Sequence, residues 1–242
     1  FEMVDALQDK AKAVLNVSSA PVKEHAPKQA STYGIDACDG AQYYAKEIQY
    51  GPSGASFMFC EKGVEPFRLE TRLLGRHNIL NIVGAAAVAL KLGLTPQEIA
   101  YAVKRLEPVP HRLQMKRQAG GITVIDDAFN SNVEGARSAV EVLGSFPEGG
   151  RMLITPGMVE LGEKEFEYNF AFGIEAAKYC DFIILVGEKQ TVPIRGGLEK
   201  AGYPKEQLYV AKDLNDALVK MRELAGDGWT VLFENDLPDL YL

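Results

Sequence analysis

At 242 residues, with 47% hydrophobic and 24% charged side chains, the chain is long enough for two modest domains with buried cores and too apolar for wholesale disorder. Its formal charge of −7 argues against general nucleic-acid binding, which runs on Lys and Arg neutralising phosphates, but allows a local basic pocket for a small anion. Cys38, Cys60 and Cys180 are scattered with no C-x-x-C spacing, so neither a zinc knuckle nor a disulfide framework is suggested, and reduced thiols in the cytoplasm are expected.

The chain opens inside Phe1-Glu2-Met3-Val4-Asp5-Ala6-Leu7, which reads as the middle of an ordered element and so as part of something longer. No signal peptide is visible. Val14 to Val17 predicts a strand. Gln42 to Ile48 and Ala55 to Cys60 predict a meander around the turn Gly51-Pro52-Ser53-Gly54, with one more strand over Arg68 to Leu74. From His77 to Leu92 apolar residues fall on almost every side, with small Gly84 to Ala87 in the middle. That pattern predicts a buried helix that another backbone approaches closely. The run from Ile79 to Leu94 is broken by Asn81 and Lys91, too short and too polar to span a bilayer. Thr95-Pro96-Gln97-Glu98 starts the next helix with a capping box and Pro at its first position, running to about Leu106. Pro108-Val109-Pro110 stops it, and the domain boundary is placed there, giving units of 1–107 and 108–242.

Beyond the boundary strand and helix alternate. Ile122 to Asp126, Met152 to Thr155, Phe182 to Val186, Leu208 to Val210 and Val231 to Phe233 read as short, Val/Ile/Leu-rich strands. Helices are expected over Val133 to Phe146, capped by Asn132, and from about Lys164 to Tyr179. The expected fold is α/β, with an open, Rossmann-like, doubly wound and mostly parallel sheet in the second unit.

Ligands of such a sheet gather beyond the carboxyl ends of its strands. The first βα turn, Asp126 to Asn132, lacks Gly-x-Gly-x-x-Gly, so a dinucleotide site is not expected. Gly-x-x-x-x-Gly-Lys-[Ser/Thr] is absent as well, so this chain cannot wrap ATP phosphates in the P-loop manner.

Three segments stand in a telling order: Gly75-Arg76-His77-Asn78-Ile79-Leu80-Asn81, then Pro110-His111-Arg112, then Ile125-Asp126-Asp127 through Asn132. In order and spacing they resemble the Mur ligase family, ATP-dependent enzymes that form amide bonds in peptidoglycan assembly. Residues 1–107 resemble the later part of its central ATPase domain and 108–242 its C-terminal domain. Asp126 to Asn132 and Gly157 to Glu163 resemble most the branch that adds D-alanyl-D-alanine to a UDP-MurNAc-peptide. The last strand departs from that branch by leading into Glu234-Asn235-Asp236 instead of a Lys-Gly-Ser-Arg-like turn.

The resemblance implies that Asn81 contacts the adenine with Asn78 nearby, that Arg112 swings onto phosphate from the hinge, and that Asp127 receives the ribose hydroxyls. Each has a plainer reading. Asn78 and Asn81 could brace a helix start, although a polar residue inside an apolar helix needs a partner. His77 could bond phosphate or tie the helix to the fold. Arg112 could form a surface ion pair, and Asp126 could help Asp127 or simply hold the strand end. Asn130, Asn132, Glu160 and Asn235 are candidates for acceptor or donor-peptide contacts and equally for turn residues. Met152, Met158, Phe166, Phe170 and Phe172 read as packing.

The implied whole enzyme uses ATP and Mg²⁺, with metal ligands upstream of Phe1 and none here. It activates a peptide carboxylate as an acyl phosphate and passes it to an amine, as a cytoplasmic monomer acting on small molecules, with no nucleic-acid or membrane partner. This chain alone is expected to be inactive. The alternatives are a folylpolyglutamate- or cyanophycin-type ligase, or a non-catalytic module for a small anionic peptide.

Overall fold

The computed structural model describes residues 2–35, 40–51, 53–118, 120–129, 132–146 and 149–235. The chain divides into two compact units, Phe1–Glu107 and Pro108–Leu242.

The first unit is a five-stranded mixed sheet in the order β1-β2-β3-β4-β5, with β1 at Val14–Asn16, β2 at Ser31–Ile35, β3 at Tyr43–Gly51, β4 at Gly54–Glu61 and β5 at Phe67–Thr71. β1, β2 and β3 run parallel, and β3, β4 and β5 form the expected antiparallel meander, with Gly51 paired to Gly54 across the turn. The short helices α1 (Glu2–Ala6) and α2 (Ala20–His25) precede the longer α3 (Arg76–Lys91) and α4 (Pro96–Lys104). Period-2 burial on β4 turns Ala55, Phe57 and Phe59 toward α3, where they meet Ile79, Ile82, Val83, Ala86 and Ala87.

α3 corrects one expectation. It is buried on one face only, and Asn81, Ala85 and Val88 lie on the exposed one. Its small residue Gly84 makes room for an aromatic ring and not for a second helix: a Cβ there would stand 2.8 Å from Tyr33 Cζ. α4 starts with the predicted reciprocal cap, Thr95 Oγ1 accepting from Glu98 N–H and Glu98 accepting from Thr95 N–H, and it ends at Lys104, short of the expected Leu106.

The second unit has six strands in the order β10-β9-β8-β11-β7-β6: β6 Gln114–Arg117, β7 Thr123–Asp127, β8 Arg151–Thr155, β9 Phe182–Val186, β10 Leu208–Ala211 and β11 Thr230–Glu234. The five expected strands are all present and parallel, and β6 adds an antiparallel edge to β7 that the polar run Gln-Met-Lys-Arg did not announce. The crossovers are α5 (Val133–Gly144), α6 (Glu165–Ala176), α7 (Val192–Lys200) and α8 (Leu214–Leu224). Leu214, Ala217 and Met221 of α8 cover Met152, Ile154, Ile184, Val186 and Val231, one face of the central strands. Because β11 returns to lie between β7 and β8, the carboxyl ends of those three strands are neighbours, with Glu234 opposite Asp127 and Phe233 opposite Ile154. No helix among the described residues is long and apolar enough to cross a membrane.

Candidate functional site

The end of β7 carries two consecutive carboxylates in different surroundings. Asp126 is buried, and its Oδ2 lies 2.6 Å from Lys116 Nζ and 3.0 Å from His111 Nδ1, while its Oδ1 accepts the Ala128 N–H at 3.3 Å. Burial alone would raise its pKa, but the hydrogen bonds from Lys116, His111 and Ala128 outweigh that and hold it below the usual carboxylate range. Asp127 is raised instead. Burial is the main cause and the neighbouring Asp126 charge adds to it, against the Leu113 N–H at 3.0 Å and the Arg112 charge.

The linker is pinned to this strand end. Phe129 N–H donates to His111 O at 3.2 Å and Leu113 N–H to Asp127, and both His111 (φ 59°) and Leu113 (φ 46°) hold left-handed backbone around Arg112. Leu113 is buried, whereas Arg112 is exposed with its guanidinium 4.5 Å above the half-exposed Phe129 ring. A fork of donors is thus mounted on an aromatic seat beside Asp127, a geometry suited to phosphate oxygens. The sequence alone assigns no role to His111, Lys116 and Phe129. Their signal is register: β6 pairs Gln114 with Asp126, which brings the linker alongside β7.

Other candidates divide. Asn132 accepts the Gly135 N–H at 2.8 Å and caps α5, as expected for a helix start. Glu160 is exposed with φ 62°, at the tip of the loop after β8. Asn235, a candidate for substrate contact, is 2% exposed; its amide N–H donates to Asp127 O and its Nδ2 to Gly157 O, bracing one loop to another. Asn130 lies outside the described residues.

In the first unit His77, Asn78 and Asn81 share the opening turns of α3. Asn78 Nδ2 donates to Leu74 O at 2.8 Å, which is the bracing reading. Asn81 is exposed, so the argument that a buried amide demands a partner does not apply to it. His77 is exposed too. Among the described residues no group of three His, Cys, Asp or Glu side chains could hold a metal ion.

Residues 111–234 match the family model of the Mur ligase glutamate ligase domain, and residues 1–89 that of the Mur ligase middle domain. The UDP-N-acetylmuramoyl-tripeptide–D-alanyl-D-alanine ligase of Bacillus subtilis (strain 168) is 23% identical over 237 residues, 97% of this chain and 50% of that protein. The Escherichia coli (strain K12) ligase of the same name is 37% identical over 119 residues, 48% of this chain and 26% of that one. Among solved structures, MurF ligase from Thermotoga maritima in complex with ADP has a TM-score of 0.75 at 20% identity, covering 93% of this chain and 49% of that one. The chain therefore spans about half the length, or less, of the relatives it matches.

Proposed function

Because the chain belongs to the Mur ligase family, we propose that it supplies the nucleotide-closing and acceptor-binding part of an ATP-dependent peptide ligase that joins D-alanyl-D-alanine to a UDP-MurNAc-tripeptide. The observation that carries this reading is the β7 end, where Arg112 stands on Phe129 beside Asp127, itself backed by the Asp126–Lys116–His111 cluster. The ADP held by the Thermotoga maritima relative supports a nucleotide here.

In this reading the tripeptide carboxylate attacks the γ-phosphorus of ATP and ADP leaves. The dipeptide amine then attacks the acyl phosphate carbonyl, loses a proton, and phosphate departs with the C–O bond. Arg112 would neutralise charge gathering on the transferred phosphoryl oxygens, and Asp127 would accept the ribose hydroxyls. Phosphate wrapping and magnesium belong to a P-loop portion. The described residues offer no three-ligand cluster for the metal. The setting proposed is the cytoplasm, with small-molecule partners and a monomeric enzyme.

The test is phosphate release by the polypeptide that joins this chain to a P-loop portion. It should require ATP, the UDP-MurNAc-tripeptide and D-alanyl-D-alanine together, and the 242 residues alone should be inactive. Release that ignores the dipeptide would overturn the acceptor, and turnover by the 242 residues alone would overturn the division of labour.

A further inference from the structure

The loop after β8, Pro156 to Leu161, belongs to no helix or strand, yet Gly157 and Met158 within it are held at both backbone polar groups. Gly157 N–H donates to Thr155 Oγ1 at 3.0 Å, and Gly157 O accepts from Asn235 Nδ2. Met158 N–H donates to Asn169 Oδ1 at 2.9 Å, and Met158 O accepts from Asn169 Nδ2 at 2.8 Å. Four backbone polar groups of two consecutive residues are thus held by side chains, a full accounting where the backbone has no ladder.

Asn169 is the centre of this arrangement. It sits on α6, 2% exposed, and spends its remaining donor capacity on Glu165 O at 3.0 Å. Its carboxamide presents a donor and an acceptor side by side, as a neighbouring peptide group would, so it pairs with both polar atoms of Met158 at once. An ionised Asp offers acceptors only, and Leu offers neither. The other wall is equally specific: Thr155 Oγ1 lies 3.2 Å from Glu234 Oε2, and both residues are buried. Gly157 has φ +86° and a Cβ there would stand 2.9 Å from Asn169 Oδ1, so only glycine lets the amide come this close.

Beyond Met158 the clamp ends. Val159 and Glu160, the next residues of the loop that leaves the carboxyl end of β8, are exposed, Glu160 in left-handed backbone, and ligands of an open α/β sheet gather beyond such strand ends. An apolar side chain next to a carboxylate suits a small amino acid or dipeptide with a free ammonium group.

We propose that Asn169 is a positioning residue for the acceptor: its buried carboxamide fixes the backbone at Met158 and thereby aims the Val159–Glu160 tip at the incoming amine. This rests on the ligase reading above. Two variants test it in the ligase assay, Asn169→Asp, which keeps size and one acceptor, and Asn169→Leu, which removes every bond. The KM for D-alanyl-D-alanine should rise about tenfold or more while the KM for ATP stays within about twofold, a split that general loosening of the fold would not give. Amide exchange at Met158 should speed up roughly a hundredfold with exchange in β8 and β11 unchanged. Glu160→Gln, which leaves the clamp intact, should raise the same acceptor KM without changing Met158 exchange. An acceptor KM that moves together with that for ATP, or does not move while Met158 exchange accelerates, would overturn the inference. If Asn169→Leu fails to fold, Asn169→Asp and Glu160→Gln decide it. A wild-type enzyme without dipeptide-dependent turnover would sink the ligase reading and this inference with it, an outcome distinct from an unmoved KM.

Discussion

Asp126 and Asp127 are adjacent in sequence and at one strand end, yet their surroundings drive their protonation in opposite directions. Asp126, bonded by Lys116 and His111, is held ionised, whereas burial pushes the Asp127 carboxyl up and the charge of Asp126 adds to that. One of the pair anchors the linker while the other carries an unfavourable buried charge, a division typical of a place where binding is prepared at the expense of stability.

Asp127→Asn should therefore stabilise the second unit at neutral pH, by roughly 0.5–1 kcal/mol, because the amide oxygen still accepts the Leu113 N–H without the buried charge. The same change should weaken nucleotide binding by the P-loop-containing polypeptide about tenfold, the loss of one charged acceptor. Urea melts and nucleotide titration check the two halves; a destabilised variant with unchanged affinity would contradict both.

Asp126 predicts an acid limb. Its folded-state pKa is depressed, so its stabilising contribution is complete above the unfolded carboxylate value, about 3.9, and is lost as pH falls through the lower folded value. Asp126→Asn should cost roughly 2 kcal/mol at pH 7, and its penalty should shrink below about pH 4. Asp127 works with the opposite sign, relieved as pH falls, so the wild-type profile is shallower than Asp126 alone would give. A penalty independent of pH would show that the Lys116 and His111 bonds carry no charge.

Arg112→Ala should lower kcat on the order of a hundredfold if its fork meets the transferred phosphoryl group, and Arg112→Lys should recover only part, since an ammonium cannot make two parallel bonds. Phe129→Leu removes the aromatic seat under the guanidinium and should cost about tenfold in kcat with Arg112 still present. Equal behaviour of Arg112→Lys and wild type would leave only a point charge at this position.

Asn81→Ala separates contact from bracing. The side chain is exposed, so unfolding free energy should change by less than about 0.5 kcal/mol. If Asn81 meets the adenine, ATP affinity should fall several-fold and discrimination against GTP should narrow. Asn78→Ala should do the reverse, costing about 1 kcal/mol of stability through its bond to Leu74 O.

Thr95→Ala removes the reciprocal cap with Glu98 and should destabilise the first unit by about 1 kcal/mol without touching nucleotide binding. A chemical denaturation midpoint that does not move would mean that α4 is held by its apolar face, Ile99 and Val103, alone.

The sequence showed what is local or periodic. The Thr95 box, the Asn132 cap and the Val/Ile/Leu strands follow from short-range chemistry and are legible in the chain itself. β2 and β6 were not, because Ser31–Ile35 and Gln114–Arg117 carry little alternation and are ordered by their partners in the sheet. Asn81 misled for a related reason: its apolar neighbours suggested enclosure, but only one face of α3 is covered. The Asn169 clamp joins positions eleven residues apart across a loop, and nothing in the spacing distinguishes that amide from a surface one.

β6 has a consequence for solubility. Each end of the six-stranded sheet is a strand of only four residues, β10 at one side and β6 at the other, and β6 closes with Lys116 and Arg117. A foreign strand adding there would gain few ladder bonds while crowding the exposed Arg117 and the Lys116–Asp126 ion pair, so the sheet is poorly disposed to grow into edge-to-edge aggregates during folding.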